Sequence, residues 1–234
     1  MPVAMTDPDD MRKYANALRL ESEARIQAIT QELIDGDVSL MTWEENMKAE
    51  LRRANLEQYV TGRGGDKSVI ARTDYLKLGP ELRRQYKYLH RFAKQLSASA
   101  QQDKPLDYAL SRATLYARST QAMFWKTAVP VDLPQVPRDG KTRCRTNCKC
   151  RIDYDYVRDD DGAITDVLVY WRLSPAEHCE DCLQLAREWN PLQLPVEGDI
   201  QESSLRQAVE LLLLAEPELR PVSTSYMRCG IFTR

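Results

Sequence analysis

Cys144-Arg145-Thr146-Asn147-Cys148-Lys149-Cys150 and, beyond two β-patterned runs, His178-Cys179-Glu180-Asp181-Cys182 hold five of the six cysteines of the chain. A closely spaced thiolate pair in a turn or on the first turn of a helix chelates one metal. Two such groups brought together across a hairpin complete the tetrahedral four-thiolate shell that zinc prefers. The expected metal ligands are therefore Cys179 and Cys182 together with two of Cys144, Cys148 and Cys150, and His178 is an alternative that could replace one thiolate. Arg143, Arg145, Lys149 and Arg151 alternate with the first group, so their positive charge is expected to favour the thiolates. The competing readings are disulfides and free buried thiols. Disulfides belong to oxidising compartments, whereas Met1-Pro2-Val3-Ala4-Met5-Thr6-Asp7 lacks the basic-then-apolar pattern of a secretory signal, which gives a cytosolic expectation. The sixth cysteine, Cys229, is expected to pack in the C-terminal tail.

Working outward, Arg151 to Val157 and Ala163 to Leu173 are rich in Tyr, Val and Ile and flank Arg158-Asp159-Asp160-Asp161-Gly162. Asp-Gly between such runs predicts a β-hairpin. Ser174-Pro175-Ala176-Glu177 predicts a helix start, with Ser174 as cap, Pro175 at the first position and Glu177 closing a capping box. Cys179 and Cys182 then fall in the early turns of that helix. A last helix is expected from about Ile200 to Ala215. Upstream, Pro130, Pro134 and Pro137 forbid helix and predict an extended strap.

The remainder is helical in pattern. Asp7-Pro8 is a good N-terminal signal, and Ala15, Leu18, Ser22, Ile26, Ile29 and Leu33 recur at spacings of three and four until Asp35-Gly36-Asp37. Thr42 with Glu45 reads as the capping box of a second helix running to about Tyr59. Leu82, Tyr86, Leu89, Ala93 and Leu96 predict a third helix, and a fourth is expected from about Asp107 to Thr127. The fold class is therefore α+β, mainly α: a helical N-terminal region followed by a small zinc-stabilised domain with a β-hairpin and helices. The expected organisation is a helical assembly region over 1–128, a proline-rich strap over 129–138, and a zinc-binding α+β domain with C-terminal helix and tail over 139–234.

Composition excludes several classes. With 43% apolar residues, the chain can build a core. Its longest apolar runs, Val167 to Trp171 and Leu211 to Ala215, are far too short to span a membrane. The net charge of −2 conceals blocks of −6, +7, +5 and −8 over residues 1–50, 51–100, 101–150 and 151–234. A basic middle between acidic ends complements other subunits or presents a positive face to nucleic acid. Solvated helix faces are the plainer reading, since no aromatic and basic residues interleave as a stacking platform. Gly62-Arg63-Gly64-Gly65-Asp66-Lys67-Ser68 is not a phosphate loop, because Asp66 breaks the Gly-Lys-Ser and no buried strand precedes it. Neither His90 nor His178 sits in a nucleophile arrangement, and a cysteine-rich shell is closed where a hydrolytic zinc needs an open position. No enzymatic activity is expected.

Asp139-Gly140-Lys141-Thr142-Arg143-Cys144-Arg145-Thr146-Asn147-Cys148-Lys149-Cys150, then Tyr170-Trp171-Arg172-Leu173 and His178-Cys179-Glu180-Asp181-Cys182, resembles the tailed-phage minor head, or head-morphogenesis, proteins of the phage Mu F-like family. The helical stretch Arg84-Gln85-Tyr86-Lys87-Tyr88-Leu89 is similar as well. The resemblance implies a low-copy structural protein of the virion, assembled in the host cytoplasm. Its implied partners are the portal protein, the major capsid protein or copies of itself, with non-specific contact to packaged DNA. A zinc-stabilised nucleic-acid-binding adaptor is the alternative reading.

Overall fold

The computed structural model describes residues 7–65, 74–102 and 108–196. Helix α1, Pro8–Ile34, begins as its sequence dictates. Asp7 caps it, accepting from the Asp9 amide at 2.7 Å, Pro8 fills a position whose N–H has no helical partner, and Asp9 and Asp10 favour the positive end of the dipole. It buries Met11, Ala15, Leu18, Ser22, Ile26 and Thr30 along one stripe. Gly36, at φ 81°, turns the chain after it.

Helix α2, Leu40–Gly62, has its cap three residues before the Thr42 expected from sequence. Ser39 is the cap instead, and its Oγ accepts from the Thr42 amide at 3.1 Å. Helix α3, Asp74–Ala100, buries Leu78, Leu82, Gln85, Leu89, Phe92, Ala93 and Leu96, and helix α4 spans Tyr108–Ala128. The α2 helix packs on α1, α3 and α4, while α1 also packs on α4. The helical core centres on fully buried Trp43, whose ring meets Phe92 edge-on at 5.6 Å and whose indole N–H donates to Thr30 Oγ1 at 3.2 Å. Buried amides fix the register of the helices. Asn55 Nδ2 donates to Gln85 Oε1 at 3.0 Å, and Gln58 Nε2 donates to the Ala15 carbonyl at 2.7 Å.

The end of α2 lies against α4 with no room for a side chain. A Cβ at Gly62 would collide with Thr127 Oγ1 and lie 2.7 Å from the Phe124 carbonyl oxygen and 3.0 Å from the Ala128 amide nitrogen. Two of those atoms are helix backbone and cannot swing aside. Gly62→Ala is expected to cost about 1–3 kcal/mol by overpacking, despite alanine's better helix propensity. Thermal unfolding followed by circular dichroism checks it, and an unchanged midpoint would mean that the two helices separate freely.

After the strap come strands β1, Arg151–Arg158, and β2, Ile164–Arg172, then helix α5, Glu180–Glu188, and strand β3, Leu192–Pro195. The sheet is antiparallel in the order β1-β2-β3. Its hairpin turn is the predicted one: Asp159 Oδ1 accepts from the amides of Asp161 at 3.1 Å and Ala163 at 2.8 Å, and Gly162 takes φ 81°. Ile152 pairs with Trp171 across the ladder, and Ile152, Val167, Val169 and Trp171 are buried. The architecture is thus α+β and mainly helical.

The change of texture at Val129 is a change of secondary structure, and the apolar core runs across it. Met11 and Ala15 of α1, Phe124 and Trp125 of α4 and Val136 of the strap belong to one buried cluster with Ile152, Val169, Trp171 and Trp189. Arg12 also reaches Asp153 on β1 at 2.5 Å. The expected last helix, Ile200 to Ala215, and Cys229 lie outside the described residues.

Candidate metal centre

Three chain segments converge on the cysteines. The first is the loop after the strap. Here the Arg145 amide donates to the Thr142 carbonyl at 2.8 Å and the Asn147 amide to the Cys144 carbonyl at 2.9 Å, which winds Arg145–Asn147 into a single 3-10 turn. That turn brings Cys144 and Cys148 to the same side, and Cys150 follows just before β1. The second is the connection from β2 to α5, where the structure departs from expectation. The helix starts at Glu180 rather than near Pro175, so Cys179 is its N-cap and Cys182 lies on its first turn. The third is β2 itself, whose Trp171 amide donates to the Trp189 carbonyl at 3.1 Å and draws α5 onto the sheet.

The Cys182 sulfur lies 3.5 Å from that of Cys144 and 3.7 Å from that of Cys148, and the Cys144 and Cys179 sulfurs are 3.5 Å apart. The sulfurs of Cys144, Cys148 and Cys182 are all within 4.8 Å of one another. A tetrahedral ion with metal–sulfur bonds near 2.3 Å sets its ligands about 3.8 Å apart, so these separations suit a shared metal. They do not suit disulfides, which need sulfurs at about 2.0 Å, and all five cysteines here are free thiols. The cluster can therefore hold a metal ion.

Cys150 and His178 stand beside this group. The His178 Nε2–H donates to the Ser174 carbonyl at 2.6 Å, and Nδ1 lies 3.6 Å from the Cys150 sulfur. A ring held this way by a backbone carbonyl has its other nitrogen oriented for a metal or a thiol proton. Of the expected ligands, Cys144, Cys148 and Cys182 lie within mutual reach, Cys179 adjoins them through Cys144, and Cys150 and His178 stand beside them. Around them runs a clasp that the sequence did not signal. The Arg143 amide donates to Asp181 Oδ2 at 2.7 Å and its guanidinium to Glu180 at 2.7 Å, tying the 3-10 loop to the start of α5. Acidic residues after a helix cap read as dipole partners, and only the fold shows that they also hold a distant arginine.

The thiols are tuned by one another and by burial, rather than by the alternating basic residues. Cys148 is pushed well above the ordinary thiol value by its hydrogen bond with Cys150, by burial, and by the neighbouring sulfurs. Cys182 is likewise raised, first by burial and then by Cys179 and Cys144. The Cys150 thiolate is favoured by that same bond from Cys148, against its own burial, and by the Trp171 indole and His178. Burial alone would raise Cys179, but the backbone N–H groups at Cys182 and Cys144 outweigh it, as its N-cap position implies. The buried Trp171 indole N–H has no aligned acceptor and leans on the Cys150 sulfur, so it is an orphaned donor aimed at the anionic cluster.

These directions fix a pH dependence. For Cys148 and Cys182 the folded values lie above the ordinary 9.0, so their contribution to the metal-free fold is present below about pH 9 and lost as pH rises toward the folded values. A metal held by the cluster would take both as thiolates and remove that sensitivity. The expected result is a urea midpoint that falls above pH 9 for chelator-treated protein and stays level for metal-loaded protein. Parallel curves would contradict it.

Comparison with known protein families, curated proteins and solved structures returns no match to this chain. No helix among the described residues is long and apolar enough to cross a membrane.

Proposed function

We propose that the chain is a structural head protein of a tailed phage, a minor head or head-morphogenesis component, and that one zinc ion bound by Cys144, Cys148, Cys179 and Cys182 stabilises its C-terminal half. The observation that carries this reading is the convergence of Cys144, Cys148 and Cys182, in the very block whose sequence resembles that family, to sulfur separations of 3.5 and 3.7 Å. Cys150 and His178 flank the shell, with Cys150 able to replace one of the first pair. Four thiolates fill a tetrahedral shell and leave no position for a water or substrate, so the zinc is structural and the protein works by binding.

In this reading the helices and the clasped loop form a rigid body that docks on portal protein, major capsid protein or further copies of itself, in the virion. The basic middle of the sequence faces packaged DNA. Co-expression of the full chain with the portal protein encoded beside it tests the assignment. Co-elution is expected, and so is a coding region flanked by portal and capsid or scaffold genes. Salt-sensitive, base-discriminating DNA binding without portal association would favour a zinc-stabilised adaptor instead. Peptide or nucleic-acid hydrolysis that disappears on chelation would refute the structural reading.

A further inference from the structure

A second feature also borders the 3-10 turn, an open cavity of about 540 Å³ lined by α3, α4 and the strap end. Four arginines line it: Arg84 of α3, Arg112 of α4, Arg138 of the strap and Arg145 of the loop between Cys144 and Cys148. Its two acids are already engaged. Glu81 is paired with Arg84 at 2.7 Å and Lys126 at 2.9 Å, and the Asp139 carboxylate accepts from the amides of Val136 at 3.0 Å and Lys141 at 2.9 Å. Arg112 lies 4.6 Å above the Phe92 ring, which holds the guanidinium plane but satisfies none of its N–H donors. Among the described residues, Arg112 and Arg145 form no side-chain hydrogen bond or ion pair with the protein, whereas the Arg138 guanidinium is partly buried near Glu23 and Cys148, which lie outside the cavity lining.

The backbone gives an independent indication. Arg138 at φ 70° and Arg145 at φ 50° are the two non-glycine residues with positive φ among those described, and both line this cavity. Left-handed backbone at a side chain with a Cβ is unfavourable and persists where the surroundings over-determine it, characteristically at ligand sites. Here both departures occur at donor-bearing residues of a single cavity. Guanidinium groups present rigid forks of N–H donors that match phosphate oxygens.

We propose that this cavity is a binding site for a phosphate group, held by Arg112 and Arg145 with Arg84 at its wall. The cavity has room for a nucleotide-sized ligand, and Tyr88 and Tyr116 at its edge offer ring faces to a base. The phosphate can belong to a nucleic-acid backbone or to a free nucleotide, and the two sources share the same contacts. The site stands on its own residues and does not depend on the virion reading. Arg145 sits between two cysteines of the metal cluster, so the same loop fold positions both sites.

Fluorescence anisotropy of the full-length, metal-loaded chain with a labelled single-stranded DNA oligomer, in competition with a nucleoside monophosphate, tests the proposal. The double variant Arg112→Gln with Arg145→Gln is expected to weaken binding roughly tenfold or more, because charge-assisted hydrogen bonds are lost without orphaning any protein carboxylate. Lys87→Gln, an exposed cation on α3 outside the cavity, is expected to leave binding unchanged. Competition by the monophosphate assigns the site to free phosphate groups, and DNA binding that it cannot displace assigns it to the backbone diester. Absence of binding by either probe, or binding that the double variant leaves intact while circular dichroism shows the same fold, overturns the proposal.

Discussion

Cys182→Ser is expected to abolish metal binding and to lower the melting midpoint of the sheet region sharply. Cys182 is 1% exposed and lies within reach of both Cys144 and Cys148, so its loss takes away the thiol that both share. Structural zinc contributes an apparent binding energy of about 10–16 kcal/mol in small domains, comparable to the whole stability of a typical protein at about 5–15 kcal/mol. The loss does not stop at the strap. Met11, Ala15, Phe124 and Trp125 share their cluster with the β2 strand, so the helical half loses packing as well. Tryptophan fluorescence, to which Trp171 and Trp189 contribute beside Trp43 and Trp125, is expected to change first. The far-ultraviolet signal of the helices then melts at a lowered midpoint. A variant that keeps its metal and its melting curve would mean that Cys182 is merely a buried thiol.

Trp171→Ala is the substitution with the next largest expected effect, about 3–5 kcal/mol. The ring is 2% exposed, meets Trp189 edge-on at 5.6 Å and fills the space between β2 and α5 directly behind the cysteines. Removing it leaves a cavity that the cysteine loop and the paired strand cannot both close. It also removes the indole that favours the Cys150 thiolate. Every proposed metal ligand remains, so the metal stays bound at neutral pH while the urea midpoint falls. That split separates a packing defect from a ligand defect. Loss of metal and stability together would place Trp171 in the binding chemistry itself.

Much of this was legible in the chain, and what was not legible has identifiable physical causes. The α1 cap, its buried stripe, the Asp-Gly hairpin and the meeting of the two cysteine groups all follow from local rules, because one residue pattern meets one geometric demand. The α2 start was misplaced because Ser39 with Thr42 and Thr42 with Glu45 have the same cap spacing, and local sequence does not rank them. The start of α5 was misplaced for a different reason. Ser174-Pro175 has the composition of a helix start, yet the Ser174 carbonyl is taken by the His178 ring and its Oγ is buried without a cap partner, and 174–179 stay non-helical. Strand β3 carries no sequence signal, because its four residues, Leu192–Pro195, are too few to show a period and end in a proline, and its pairing with Val167 and Val169 is purely tertiary. The Arg143 clasp and the positive φ values at Arg138 and Arg145 likewise depend on partners far away in sequence.

Elemental analysis with native mass spectrometry, on full-length protein purified without chelator, tests the central claim most directly. The cysteine geometry predicts one zinc per chain, retained through gel filtration, lost in Cys179→Ser and Cys182→Ser, and accompanied in both variants by a lower melting temperature. Metal-free protein whose thermal stability is indifferent to those two substitutions would contradict the account.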